Sequence, residues 1–218
     1  MVFVAAGIRR SASTLVFQIA CEITGTDYRI RKWKERPKNI YGPNQWWVTK
    51  SHSFLPEAAG RGFGKIIAYP TIRDPRDVAV SMMTLHDKTF EGVMESGMIQ
   101  RDINYFNIWV DELGLGEYCF IDRYEDFRHD LRGLIMSIAT LMGIWPTEKE
   151  IMELAEKFSF ENNKARSDSI GKVEADLLFP GHLQTGKVGI WKDALTKEQA
   201  NVVVDTIGLD WFREWGYG

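Results

Sequence analysis

The residues best suited to chemistry in this chain fall in short groups far apart in sequence. The first is Gly7-Ile8-Arg9-Arg10-Ser11-Ala12-Ser13-Thr14. Two guanidinium groups and three hydroxyls in a tight loop suit an anion. A helix starting where the loop ends adds its N–H groups and its dipole to the same task. The loop lacks GxxxxGK[ST] and is no Walker A. Taken alone, a plain strand-to-helix turn capped by Ser11 or Ser13 explains it equally well. The second group is Lys50-Ser51-His52. A near-neutral imidazole can take a hydroxyl proton at physiological pH; the plainer alternative is a hydrogen-bonded histidine at a strand end. The third runs from Arg73-Asp74-Pro75-Arg76-Asp77 to Ser81. The planar fork of Arg73 matches a phosphate bidentately, or else pairs with Asp77 one helical turn on. Asp74 and Asp77 read as caps rather than catalysts. No histidine or cysteine group has the spacing of metal ligands, so no metal is expected.

The elements that must position these groups follow from apolar spacing. Val2-Phe3-Val4-Ala5-Ala6 predicts a strand before the first group, and Leu15, Ile19, Glu22 and Ile23 predict a helix after it. Residues 46–49 read as a strand ending at Lys50. Residues 65–72 form a near-continuous apolar run, as in a strand buried on both faces of a parallel sheet. It runs into Arg73, then a helix to about His86 begun by Asp74 and Pro75. Residues 92–97 read as loop, 99–113 as helix, 118–122 as a buried strand leading to Tyr124, and 127–142 as one helix. Thr147 and Glu150 carry a capping-box signature for a helix ending near Phe158. Residues 166–189, with His182 among them, read as a long loop able to close over a ligand. Thr196 caps the final helix. Alternating strands and helices predict a parallel α/β sheet with helices on both faces. Ligands bind such sheets beyond the C-terminal ends of the strands, and all the reactive groups follow predicted strand ends.

Composition narrows the classes. With 44% hydrophobic and 26% charged residues, 218 residues make one sizeable globular α/β domain, taken as 1–218. A net charge of −3 weighs against non-specific nucleic-acid binding but leaves room for a local basic pocket. The basic stretch 29–38 reads as a solvated face or a rim that draws in an anion. Cys21 and Cys119 form no disulfide framework and read as buried thiols. No apolar run has the length of a membrane span, and the N-terminal run lacks the basic region of a leader. A cytoplasmic chain with no membrane or nucleic-acid partner is expected; its oligomeric state is unknown.

Taken in order, the motifs resemble those of sulfotransferases that use 3′-phosphoadenosine 5′-phosphosulfate (PAPS). Arg73-Asp74-Pro75-Arg76-Asp77-Val78-Ala79-Val80-Ser81 is close to that family's RNPxDVAVS, whose Arg and Ser hold the nucleotide's 3′-phosphate. Arg10-Ser11-Ala12-Ser13-Thr14 is similar to the PKSGTTW loop for the 5′-phosphosulfate, with Arg10 at its Lys and Ala12 at its Gly. Lys50-Ser51-His52 resembles the KTH segment that carries the catalytic base. Tyr124-Glu125-Asp126 matches YED, and Phe158-Ser159-Phe160 resembles the TSF segment of the adenine pocket. Residues 186–192 resemble the closing GxxGDWK. Leu15 stands at the place of an adenine-stacking Trp. Gln184-Thr185 replaces an Arg-Lys pair whose Arg holds phosphate, a loss that Lys187 or the stretch 29–38 is expected to offset. The dimer motif survives only as Lys192 and Thr196, so no dimer is carried over.

The resemblance implies a P-loop NTPase-like three-layer sandwich and transfer of a sulfonate group from PAPS to an acceptor hydroxyl or amine. It implies His52 as general base, with Lys50 and Arg10 stabilising charge on the leaving 5′-phosphate. It places Arg9, Arg10, Ser11, Ala12, Ser13 and Thr14, with Arg73, Ser81, Tyr124, Phe158, Phe160, Gly186 and Lys187, around the nucleotide, PAPS or its product PAP (adenosine 3′,5′-bisphosphate). The acceptor is expected to be set by residues 28–44 and 90–99. A kinase on the same architecture would need Mg²⁺ and a loop lysine, for which Arg10 is a poor substitute. A non-catalytic nucleotide-binding module is the third alternative, and retention of both His52 and Lys50 speaks against it.

Overall fold

The computed structural model describes residues 1–27, 46–54, 66–114, 116, 118–172 and 176–218. The basic stretch 29–38 and the segment 28–44 expected to set the acceptor lie outside the described residues.

The first strand, β1 (Val2–Gly7), leads through the Arg9–Arg10 loop to α1 (Ser13–Thr24). Next come β2 (Trp47–Lys50) and β3 (Ile66–Ile72), then α2 (Pro75–His86), α3 (Phe90–Glu95) and α4 (Met98–Leu113). After β4 (Asp122–Arg123) follow α5 (Tyr124–Phe127), α6 (Leu131–Leu141), α7 (Glu148–Lys157) and α8 (Phe160–Ser169). The described chain closes with α9 (Trp191–Ala194), α10 (Lys197–Ile207) and α11 (Leu209–Glu214). The strands form one parallel sheet in the order β2-β1-β3-β4.

Alternation along β1 splits the core between two layers. Phe3 and Ala5 pack on one face with Val16, Phe17 and Ala20 of α1 and Leu134 and Ile138 of α6. Val2, Val4 and Ala6 pack on the other with Trp109 of α4. A sheet apolar on both sides needs helices on both sides, the three-layer arrangement expected from the sequence. Gly7 ends β1 at φ 124°, where a Cβ would stand 2.4 Å from the Thr71 carbonyl oxygen. Only glycine lets the two strand ends approach this closely.

Several boundaries differ from those read in the sequence. Residues 118–122 make no continuous strand: Cys119 bridges Ala68, and the ladder resumes in the same register at Asp122–Thr71. Pro70 lies between and has no N–H to give the edge strand, so the ladder breaks there. Residues 90–95 are helical rather than loop, because the Thr89 side chain accepts from the Gly92 N–H at 3.2 Å. The single helix expected over 127–142 is two, with Asp130 capping the second through the Gly133 N–H at 2.8 Å. Ser159 starts α8, which takes the first part of the expected 166–189 loop. Thr196 and Gln199 do form a capping box, but α11 follows α10, so it is not the last helix.

Candidate functional site

The four strands all end on one side, and the loops leaving them meet there. Neither Ser11 nor Ser13 caps α1. The N-cap position is Ala12, with φ 68° and no side-chain bond to the helix. Leu15 and Val16 give their N–H groups to the Ala12 carbonyl at 2.9 and 3.3 Å, so it is the N–H groups of Ser13 and Thr14 that can meet an acceptor from outside. Arg10 also has φ 68°. Two non-glycine residues in the left-handed region cost about 1–2 kcal/mol each, and strain of this kind collects at functional loops. Ala12 sits where the resemblance places a glycine, which fits its left-handed backbone. Ser11 is spent on structure, its hydroxyl lying 2.6 Å from the Ile8 carbonyl and 2.8 Å from that of Thr71.

The alternating turn sends its two arginines apart. Arg9 pairs with the buried Asp102 of α4, which also accepts from the Arg9 N–H at 2.8 Å. Arg10 turns into a cleft. Its Nε donates to Ser81 Oγ at 2.8 Å and its Nη2 to the His182 carbonyl at 2.7 Å. Burial, then the neighbouring Arg73, pushes its pKa down to about 10, so the group stays charged at neutral pH.

Arg73 leaves the end of β3 and is only 6% exposed. It donates to the Lys187 carbonyl at 2.7 Å and lies 4.4 Å from the centre of the Tyr124 ring. It also meets Asp77 at 3.4 Å. Both readings of Arg73 are therefore realised: it faces the cleft and pairs along the helix. Asp74 caps α2 through the Arg76 N–H at 2.9 Å. Asp77, fully buried, does something else: it accepts from the N–H groups of Gly189 at 2.7 Å and Trp191 at 3.0 Å. It thereby fastens the closing segment over the site.

That segment covers the cleft. Gln184 and Ser81 exchange two bonds, each 3.2 Å long. The Gly186 carbonyl accepts from Tyr124 Oη at 3.0 Å and from Arg128 Nε at 3.1 Å. Gly186 has φ 63°, and a Cβ there would meet the Phe160 ring at 2.5 Å, so the aromatic wall requires a glycine. The cleft is partly open, and its empty space is about 900 Å³ with the solvent at its mouth included. Of the residues singled out from sequence, Arg10, Ala12, Thr14, Arg73, Ser81, Tyr124, Phe158, Phe160 and Gly186 line it. Leu15 lines it too. Arg9, Ser11, Ser13 and Lys187 do not; the Lys187 side chain points to solvent.

Lys50 and His52 stand beside the cleft rather than in its wall. His52 Nδ1 is 2.9 Å from the Gly7 carbonyl, which fixes the proton on that nitrogen. Nε2 then keeps its lone pair and accepts from Lys50 Nζ at 2.8 Å. Burial, then Lys50, pushes His52 down to about 3. Burial, then Arg9 and Arg10, pushes Lys50 down to about 8. His182 lines the cleft, stacks on Phe179 at 4.0 Å, and is pushed down to about 3 by burial, then by Arg10 and Lys50. Burial, reinforced by the neighbouring cations, thus holds both imidazoles neutral. Arg128 is the charged lining residue that sequence reasoning missed, beside Gln18, Asn163 and several apolar ones. It belongs to no motif, and its one signal is that it lies one turn beyond Tyr124. Among the described residues no three or more His, Cys, Asp or Glu are grouped to hold a metal ion, and no helix is long and apolar enough to cross a membrane.

A parallel sheet with a cation-lined cleft beyond its C-terminal edge defines the class: a P-loop-like α/β protein. The solved structures similar to it include retinol dehydratase in complex with androsterone and the inactive cofactor PAP. There the TM-score is 0.68 and the identity 20%, over 94% of this chain and 79% of that one. A mouse sulfotransferase complexed with PAP gives 0.65 and 15%, over 94% and 81%. These likenesses establish the fold. Residues 22–216 match the sulfotransferase domain, and the chain belongs to that family. It is also similar to an amine sulfotransferase of Oryctolagus cuniculus, at 27% identity over 80% of this chain, spanning 62% of that relative's length.

Proposed function

We propose that this protein transfers a sulfonate group from PAPS to an acceptor hydroxyl or amine. The observation that carries the reading is the cleft itself. Arg10, Arg73 and Ser81 line it together with the aromatic rings of Tyr124, Phe158 and Phe160. Cations and aromatic rings in one cleft fit an adenine nucleotide bearing more than one anionic group. The PAP in the related crystal structures supports the same ligand class.

In this reading Arg73 and Ser81 hold the 3′-phosphate, and the 10–14 loop with the start of α1 holds the 5′ end. The acceptor oxygen attacks sulfur, His52 Nε2 takes its proton, and the bond from sulfur to the phosphate oxygen breaks with its electron pair on the phosphate. Lys50 and Arg10 stabilise that developing charge. The Lys50–His52 contact gives the order of events. Lys50 occupies the lone pair that must take the proton, so drawing its ammonium to the phosphate side frees the base. Gly7 holds the imidazole in the required tautomer throughout.

PAP should raise the melting temperature, because a ligand bound only by the folded state stabilises it. AMP, without the phosphate for Arg73 and Ser81, should raise it far less. Equal shifts from the two nucleotides would remove the assignment.

A further inference from the structure

The arginines around the strand ends are not equally neutralised. Arg9 pairs with Asp102, Arg76 with Asp74, Arg123 with Asp126, and Arg73 more loosely with Asp77. Arg10 and Arg128 meet no carboxylate among the described residues, and both line the cleft. Arg10 is accounted for by the 5′ end of the nucleotide. Arg128 is not.

Its placement is built rather than incidental. The guanidinium lies over the Phe160 ring, 4.6 Å from its centre, and its Nε is bonded to the Gly186 carbonyl at 3.1 Å. Stacking, that bond and a hydrogen-bonding contact with the Tyr124 hydroxyl fix the plane of the group, and no carboxylate among the described residues pairs with it. The next carbonyl, Lys187, accepts from Arg73 at 2.7 Å. Tyr124 bonds the same Gly186 oxygen and carries Arg73 over its ring. Arg73 and Arg128 therefore both lie beside Tyr124 in the cleft wall. Gln184 on the closing segment is neutral, and its amide is spent in both directions on Ser81. The segment brings no cation of its own into this part of the cleft, since the side chain of Lys187 is exposed.

We propose that Arg128 is a nucleotide-binding residue that recognises the 3′-phosphate together with Arg73. It supplies from the α5–α6 turn the charge that Gln184 does not supply from the closing segment. This rests on the proposed nucleotide site and adds a third residue, beside Arg73 and Ser81, to its selectivity for a 3′-phosphorylated nucleotide.

The test is calorimetric binding of PAP and of AMP to the wild type, Arg128→Met and Arg128→Lys. Methionine keeps the length and the contact with Phe160 but removes the charge. Arg128→Met should weaken PAP about 10- to 100-fold, the loss expected of a charge-assisted hydrogen bond, while AMP changes less than about 3-fold. Arg128→Lys should recover most of the PAP affinity. A merely structural clip on Gly186 would weaken PAP and AMP alike, and that result, or unchanged PAP binding, overturns the proposal. If Arg128→Met does not fold, Arg128→Gln takes its place: a loss confined to PAP supports the proposal, and an equal loss on both nucleotides, or no loss, overturns it. A wild type that does not prefer PAP to AMP would instead overturn the nucleotide reading beneath it.

Discussion

Acid should destabilise this protein through its buried imidazoles, and His182 offers the cleanest measurement. Its pKa falls from 6.5 to about 3 because of burial and then because of Arg10 and Lys50. The unfolded chain therefore takes up the proton first as pH drops, while the folded chain excludes it. Stability from this group is complete well above pH 6.5 and is lost as pH falls from about 6.5 toward 3. Each pH unit within the window costs about 1.4 kcal/mol, so acidifying from about pH 6.5 to 4.5 costs about 2 kcal/mol for His182 alone. Asp102 and Asp122 are shifted upward, mainly by burial, and act with the opposite sign at lower pH. The total curve therefore mixes contributions, and the comparison must be made against a variant. Urea unfolding of the wild type and of His182→Gln at several pH values isolates the one group. The stability difference between them should change by about 2 kcal/mol across that window, whatever constant offset the substitution adds. A difference that stays flat would mean that His182 titrates normally, and that its burial and the neighbouring cations do not act as described.

Two further outcomes test the site. His52→Ala should keep the fold and the affinity for PAP but lose turnover by about 10²–10⁴-fold, the usual worth of a general base; Arg73→Ala should instead weaken PAP, so calorimetry beside a sulfonate-transfer assay separates the roles. Asp77→Asn places a donor against one of two backbone donors, at Gly189 or Trp191. It should cost about 1–3 kcal/mol of stability and speed amide exchange in residues 189–191, and unchanged exchange there would show that Asp77 does not fasten the closing segment.

Much of this protein was legible in the order of its residues. Apolar runs gave β1 and β3, and the capping chemistry of Asp74, Thr147 and Thr196 gave three helix starts, because these are local interactions. The family showed in Arg73-Asp74-Pro75-Arg76-Asp77-Val78-Ala79-Val80-Ser81, since a strand end and the first two turns of one helix hold all its parts. What sequence could not reveal depends on partners distant in the chain. Pro70 breaks the pairing of residues 118–122 only because that edge strand faces its missing N–H. Arg9 and Arg10 are neighbours of one chemical type; Asp102, 93 residues on, takes the first, and Ser81, 71 residues on, receives the second. Lys50 and His52 are two residues apart, yet their mutual masking exists only because Gly7 fixes the ring. Arg128 carries no motif, and its place in the cleft follows from Phe160 and Gly186, which reach it only once the chain has folded. Local hydrogen bonds and periodicity act over a few residues and can be read in one dimension. The neutralisation of a charge depends on whichever groups the packed layers bring near it, and only the tertiary structure decides that.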